Sequence, residues 1–175
     1  RYSFRYVKLQ RTDSVRFPIA VRGLYLDAVS AVDIDTVEPA AVTDPLLRRI
    51  DRMCVKTLAE CEQDVFEDGP KRDRRLWIGD LRLQALANYA TFHNIDLVRR
   101  CLYLFAGALR SDNWVSCAVF TDPVIRNDAW HLLDYSLFFI SILHDDYAET
   151  GDLDFVRTVM AIDPAKKMNT YGKGK

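Results

Sequence analysis

Asp64-Val-Phe-Glu-Asp-Gly-Pro-Lys-Arg-Asp-Arg-Arg-Leu-Trp-Ile-Gly-Asp80 is the stretch on which the reading of this chain turns. Five carboxylates (Asp64, Glu67, Asp68, Asp73, Asp80) alternate with four cations (Lys71, Arg72, Arg74, Arg75), with a Gly-Pro turn and a Trp-Ile-Gly break among them. Helical patterns lie on both sides, so the stretch reads as a loop held between packed helices. Loops on rigid scaffolds are where catalytic groups concentrate. A salt-bridged connector without chemistry has the same composition, because structural ion-pair networks mimic active sites.

Upstream, Thr43-Asp44-Pro45 is a helix start, a hydroxyl or carboxylate cap with proline just inside. Leu46, Leu47, Ile50, Met53, Cys54, Thr57, Leu58 and Cys61 then follow helical spacing. Downstream, a second helix is predicted from about 80 to 92, burying Leu83, Leu86, Ala87 and either Ala90 or the Tyr89 face. His93-Asn94 breaks it. A third begins at Asn94 or Asp96 and runs through Leu109, with Val98, Cys101, Leu102 and Phe105 inside. Residues 110–126 form a long connection with a short extended piece at 115–120. A fourth helix covers roughly 127–149 and is apolar over much of its circumference, so it is buried from several sides. Gly151 ends it, and Asp152 caps a last helical stretch through Met160. The basic, aperiodic tail (164–175) reads as disordered.

The N-terminal part reads as β structure. Phe4, Tyr6, Val7 and Leu9 alternate as strands prefer, and 17–21 and 24–32 are further extended candidates, with Pro18 marking an edge piece. The chain starts with arginine inside this pattern, as the end of a sheet whose beginning lies elsewhere. The predicted division is therefore the end of a β-sandwich (1–38), a helical domain (39–163) and the tail.

The 175 residues carry a formal net charge of −1, so no global field favours nucleic acid or an anionic membrane. The excess of cations in residues 1–25 is explained by a solvated strand face. No run is apolar and long enough to span a bilayer. The four cysteines form no CxxC pair, and the three histidines complete no zinc spacing, so no metal is expected. Cys54, Cys61 and Cys101 fall on apolar stripes as buried free thiols, which leans towards a reducing, cytoplasmic compartment. Asp134 interrupts the fourth helix and either faces a pocket or pairs with an arginine. Trp114 and Trp130 line a pocket or pack at its rim. His93 reads as a helix-end cap, and His131 and His144 have no assigned role.

The motif at 68–80 resembles the signature of bacterial α-L-rhamnosidases, an Asp-Cys-Pro-x-Arg-Glu-x-Arg-x-Trp-x-Gly-Asp pattern in the same register. Phe4-Arg5-Tyr6-Val7 is similar to the closing strand of the family's sandwich domain, Thr43 to Leu47 to its first toroid helix, and Thr150-Gly151-Asp152 to the end of a later one. The resemblance implies a mainly α chain, a partial toroid of helical hairpins preceded by a few β-strands. It implies hydrolysis of terminal α-L-rhamnosides with inversion, without a cofactor. An inverting enzyme pairs a carboxylic acid with a water-activating carboxylate about 6.5–9.5 Å away. By alignment Asp73 takes the general-acid position, Asp68 and Asp80 the sugar-binding acidic positions, and Arg72 and Trp77 their motif neighbours. The family also often has an acidic residue near Asp134.

Two departures bear on this. Asp73 stands where the family usually has glutamate, one methylene longer, and small misplacements of reacting groups are expensive. Asp73 is also flanked by arginines; a cation beside a carboxylate favours its ionised form, whereas a general acid must hold a proton. The role requires those arginines to point to Glu67, Asp68, Asp80 or substrate. A full six-hairpin toroid needs on the order of 200 residues, and no carboxylate after the motif matches the family's base. The expectation is a fragment, inactive alone, whose uncovered half-barrel faces favour self-association. The alternative is a noncatalytic helical module, a pseudoenzyme or truncated product that binds carbohydrate or protein.

Overall fold

The computed structural model describes residues 4–12, 19–130 and 132–162. Phe17, Pro18, His131 and the tail lie outside them. Among the described residues five α-helices dominate: α1 (Pro45–Cys61), α2 (Ile78–Tyr89), α3 (Ile95–Gly107), α4 (Leu133–Thr150) and α5 (Leu153–Met160). Three short strands, β1 (Leu76–Trp77), β2 (Ala118–Phe120) and β3 (Arg126–Asn127), form an antiparallel sheet in that order. Leu76 pairs with Val119, and Phe120 with Arg126. The mainly helical class expected from the sequence is what the chain forms.

The helix ends follow from local chemistry. Asp44 Oδ1 accepts from Leu46 N at 2.7 Å and Leu47 N at 3.3 Å, while Pro45 needs no partner for an absent N–H. Asn94 accepts from Leu97 N, and Asp152 from Phe155 N at 2.9 Å. Gly151 closes α4 in the left-handed region (φ 68°), its N–H donating to Tyr147 O at 2.8 Å.

Phe66, Leu76, Ile78, Leu81, Val98, Leu102, Phe105, Val119 and Ile142 are fully buried. Each contributes about 1.5–3 kcal/mol on leaving water. They join the connector, the sheet and the inner faces of α2, α3 and α4 in one core. Arg99 fastens its far end, donating to Asp146, to Asp152 Oδ2 at 3.0 Å and to Thr150 Oγ1 at 3.1 Å, with its guanidinium 4.3 Å over the Phe155 ring.

Several expectations are corrected. Residues 4–12 and 19–32 form no strand; a strand needs paired neighbours to be stable, and the described segment supplies none. Instead residues 29–31 strap across the end of α1, where its last carbonyls lack helical partners. Ala31 N donates to Glu62 O and Ser30 Oγ to Ala59 O, both at 2.7 Å, and Gln63 Nε2 donates to Val29 O. Helix α2 buries Ile78, Leu81, Ala85 and Asn88, not the face of Leu83 and Leu86, which are exposed. Its apolar residues occur on both faces, so periodicity alone does not choose between them. Helix α4 starts at Leu133 because Arg126–Asn127 are taken by the sheet. Cys54 is exposed on α1, while Cys61, Cys101 and Cys117 are buried. Leu46, Leu47, Ile50 and Met53 on the same stripe are also open; Leu46, Ile50 and Met53 line, with Leu83 and Ala87, an apolar recess of about 550 Å³.

Candidate functional site

The connector after α1 folds back on itself. Glu67 N donates to Cys61 O at 2.9 Å, and Gln84 Nε2 reaches from α2 to Glu67 O at 2.7 Å. Asp68 and Arg75 then clasp the loop at its root: Asp68 N donates to Arg75 O, and Arg75 N to Asp68 Oδ1, both at 3.0 Å. Gly69 to Arg74 form the crest between them. Strand β1 and α2 follow without a break, so the Trp-Ile-Gly stretch read as a loop is a strand-to-helix junction. The first N–H of α2 donates to Cys117 O at 3.0 Å, tying the junction to β2.

The motif's polar side chains separate by environment. The Asp68 side chain is fully buried, and Arg72 Nε stands 3.4 Å from its Oδ2. That is ion-pairing distance without hydrogen-bond alignment, so Oδ2 keeps accepting capacity. Asp80, half-buried in the first turn of α2, complements the helix dipole. Burial pushes its carboxyl above the ordinary value; Arg72 opposes this and Asp68 adds to it. Trp77 is half-buried in β1, its indole Nε1 enclosed and without an acceptor among the described residues.

Asp73 is exposed at the crest, and among the described residues no ion pair or hydrogen bond engages its carboxylate. Its flanking arginines are directed elsewhere. Arg72 faces Asp68, and Arg75 lies 4.6 Å over the Phe120 ring, whose other cationic neighbour is Arg126 at 3.9 Å. Arg74, with Glu67, Pro70 and Lys71, lines a recess on the flank facing the N-terminal segment. Arg74 also holds a left-handed backbone (φ 51°), a conformation that costs a non-glycine residue about 1 kcal/mol or more and clusters at functional sites.

The place of Asp134 in its helix differs from the expected one. The residue does not interrupt α4 as a buried carboxylate; it is exposed in the helix's first turn. Trp114 and Trp130 are exposed at 46% and 71%, and His93, left-handed at φ 55°, pairs with Glu149 at 2.9 Å across the surface. Sequence reasoning passed over Tyr135, which the fold sets against Gly79. A Cβ on Gly79 would lie 2.8 Å from Tyr135 Cζ and 2.9 Å from its hydroxyl. Burial, then the charges of Asp80 and Asp134, push the Tyr135 phenol up. The signal was the glycine before Asp80, a helical position with no need of conformational freedom. No group of three or more metal-ligating side chains occurs among the described residues, and no described helix is long and apolar enough to cross a membrane.

The motif thus presents a buried carboxylate (Asp68) and an exposed unpaired one (Asp73) on the clasped loop, and a half-buried one (Asp80) in the first turn of the helix that follows. Residues 40–162 match the model of the bacterial α-L-rhamnosidase six-hairpin glycosidase domain. A solved structure described as a rhamnosidase from Klebsiella oxytoca with rhamnose bound is 53% identical, with a TM-score of 0.68, over 71% of this chain and 24% of that one. The chain therefore spans about a quarter of the length of that enzyme. No curated protein matches. The chain belongs to the bacterial α-L-rhamnosidase six-hairpin family.

Proposed function

We propose that this chain supplies the proton-donating, sugar-binding wall of an inverting α-L-rhamnosidase site. Asp73 protonates the glycosidic oxygen as the bond from the anomeric carbon breaks. Water attacks that carbon from the opposite face and gives its proton to a second carboxylate, a role assigned to none of the described residues. Asp68, Asp80 and Asp134 accept from sugar hydroxyls, Arg72 holds Asp68, and Trp77 offers its face to the sugar's C–H surface. No cofactor enters the reaction.

The observation that carries this reading is the unpaired Asp73 between arginines engaged elsewhere. A structural ion-pair loop would have used those arginines on Asp73. The sugar comes from the family and from the Klebsiella enzyme that holds rhamnose. The test is calorimetry with L-rhamnose on the polypeptide as its gene encodes it. Saturable binding that Asp68→Asn weakens supports the proposal; no heat from a folded sample overturns it.

A further inference from the structure

We propose that Tyr135 is a sugar-contacting residue of this site, its hydroxyl seated by the missing side chain of Gly79 against the helix turn that carries Asp80. The inference rests on the carbohydrate-binding reading above.

Three observations support it. Gly79 sits inside the first turn of α2, where a helical backbone gives no conformational reason for glycine. Its backbone is not left-handed, so conformation does not explain it. The phenol end of Tyr135 explains it, because the ring occupies the space a Cβ would take. The Tyr135 hydroxyl, next, enters no hydrogen bond among the described residues, although Asp80 and Asp134 lie close enough to perturb it. A phenol seated against the backbone of α2 and bonded to no described residue keeps its donor and its acceptor for a ligand. Finally, the ring is braced from behind by Phe138, 5.9 Å away between centroids, and α2 and α4 pack extensively against each other. The hydroxyl is therefore preorganised, and little freedom is lost when it binds. A polyol bridging Asp80 and Tyr135 would donate one hydroxyl to the carboxylate and share a second with the phenol.

Two variants separate contact from packing. Tyr135→Phe keeps the ring on Gly79 and removes only the oxygen. Gly79→Ala keeps the oxygen and displaces the ring. Calorimetry with L-rhamnose, on the polypeptide as its gene encodes it, should show about fivefold to tenfold weaker binding for Tyr135→Phe. Its thermal midpoint should stay near wild type, a combination that a purely structural role does not give. Gly79→Ala should weaken binding similarly, and adding Tyr135→Phe to it should cost little more, because the hydroxyl is already displaced. Undiminished binding by Tyr135→Phe, with wild type binding normally, overturns this inference alone. Absence of rhamnose binding by wild type overturns both this inference and the function it rests on.

Discussion

Replacing Glu62 by glutamine should change how stability depends on pH. The Glu62 side chain closes α1 and is fully enclosed. Its Oε2 accepts a long bond from Asn94 Nδ2 at 3.4 Å, and Oε1 has no partner among the described residues. Burial pushes this carboxyl from 4.5 up to about 7, with the Asn94 bond pulling slightly the other way. The folded state thus holds the proton more tightly than the unfolded chain. Stability from this group is fully present below pH 4.5 and is lost as pH rises through 7. A rise of about 2.5 pH units corresponds to about 3 kcal/mol. Glutamine has nearly the same shape and never ionises. Urea titrations of wild type and Glu62→Gln across pH 5 to 8.5 isolate the effect, because every other titrating group is common to both. The wild-type free energy should fall by about 2.5 kcal/mol relative to the variant over that range, the rest having been lost below pH 5. Two parallel curves would refute the reasoning, showing that the carboxylate is solvated or paired.

Arg99→Ala should cost about 3–5 kcal/mol, because it leaves buried Asp146 without its cation. Burial already raises the Asp146 carboxyl against the opposing arginine, so the loss should be smaller at pH 5 than at pH 8, which denaturant titrations at both values check. Gly151→Ala should destabilise by about 1 kcal/mol through its left-handed backbone alone, since open space surrounds it; a midpoint unchanged in urea would contradict this.

Much of the helical framework was legible because its signals are local. Asp44-Pro45, Asn94, Gly151 and Asp152 each start or stop a helix through bonds within four residues, and each does so here. What was misread depends on neighbours distant in sequence. The buried side of α2 is decided by where α4 packs, and the start of α4 by a sheet whose strands are two or three residues long. The N-terminal stretch alternates like a strand, but a ladder is a property of two segments. In the site, the motif located Asp68, Arg72, Asp73, Trp77 and Asp80 on one loop and the junction it feeds. It could not rank them by burial. Nor could it place Asp134 on the exposed first turn of α4, or set Tyr135 on Gly79, 56 positions away in the chain.

The central claim is that Asp73 gives a proton to the departing oxygen. Its most direct test compares two aryl α-L-rhamnosides, one with a basic phenol and one with an acidic dinitrophenol, using wild type and Asp73→Asn of the polypeptide as its gene encodes it. Loss of the proton donor should slow the basic leaving group by about 10²–10⁴-fold and barely affect the acidic one, which departs without help. Equal losses on both substrates, or none on either, would contradict it.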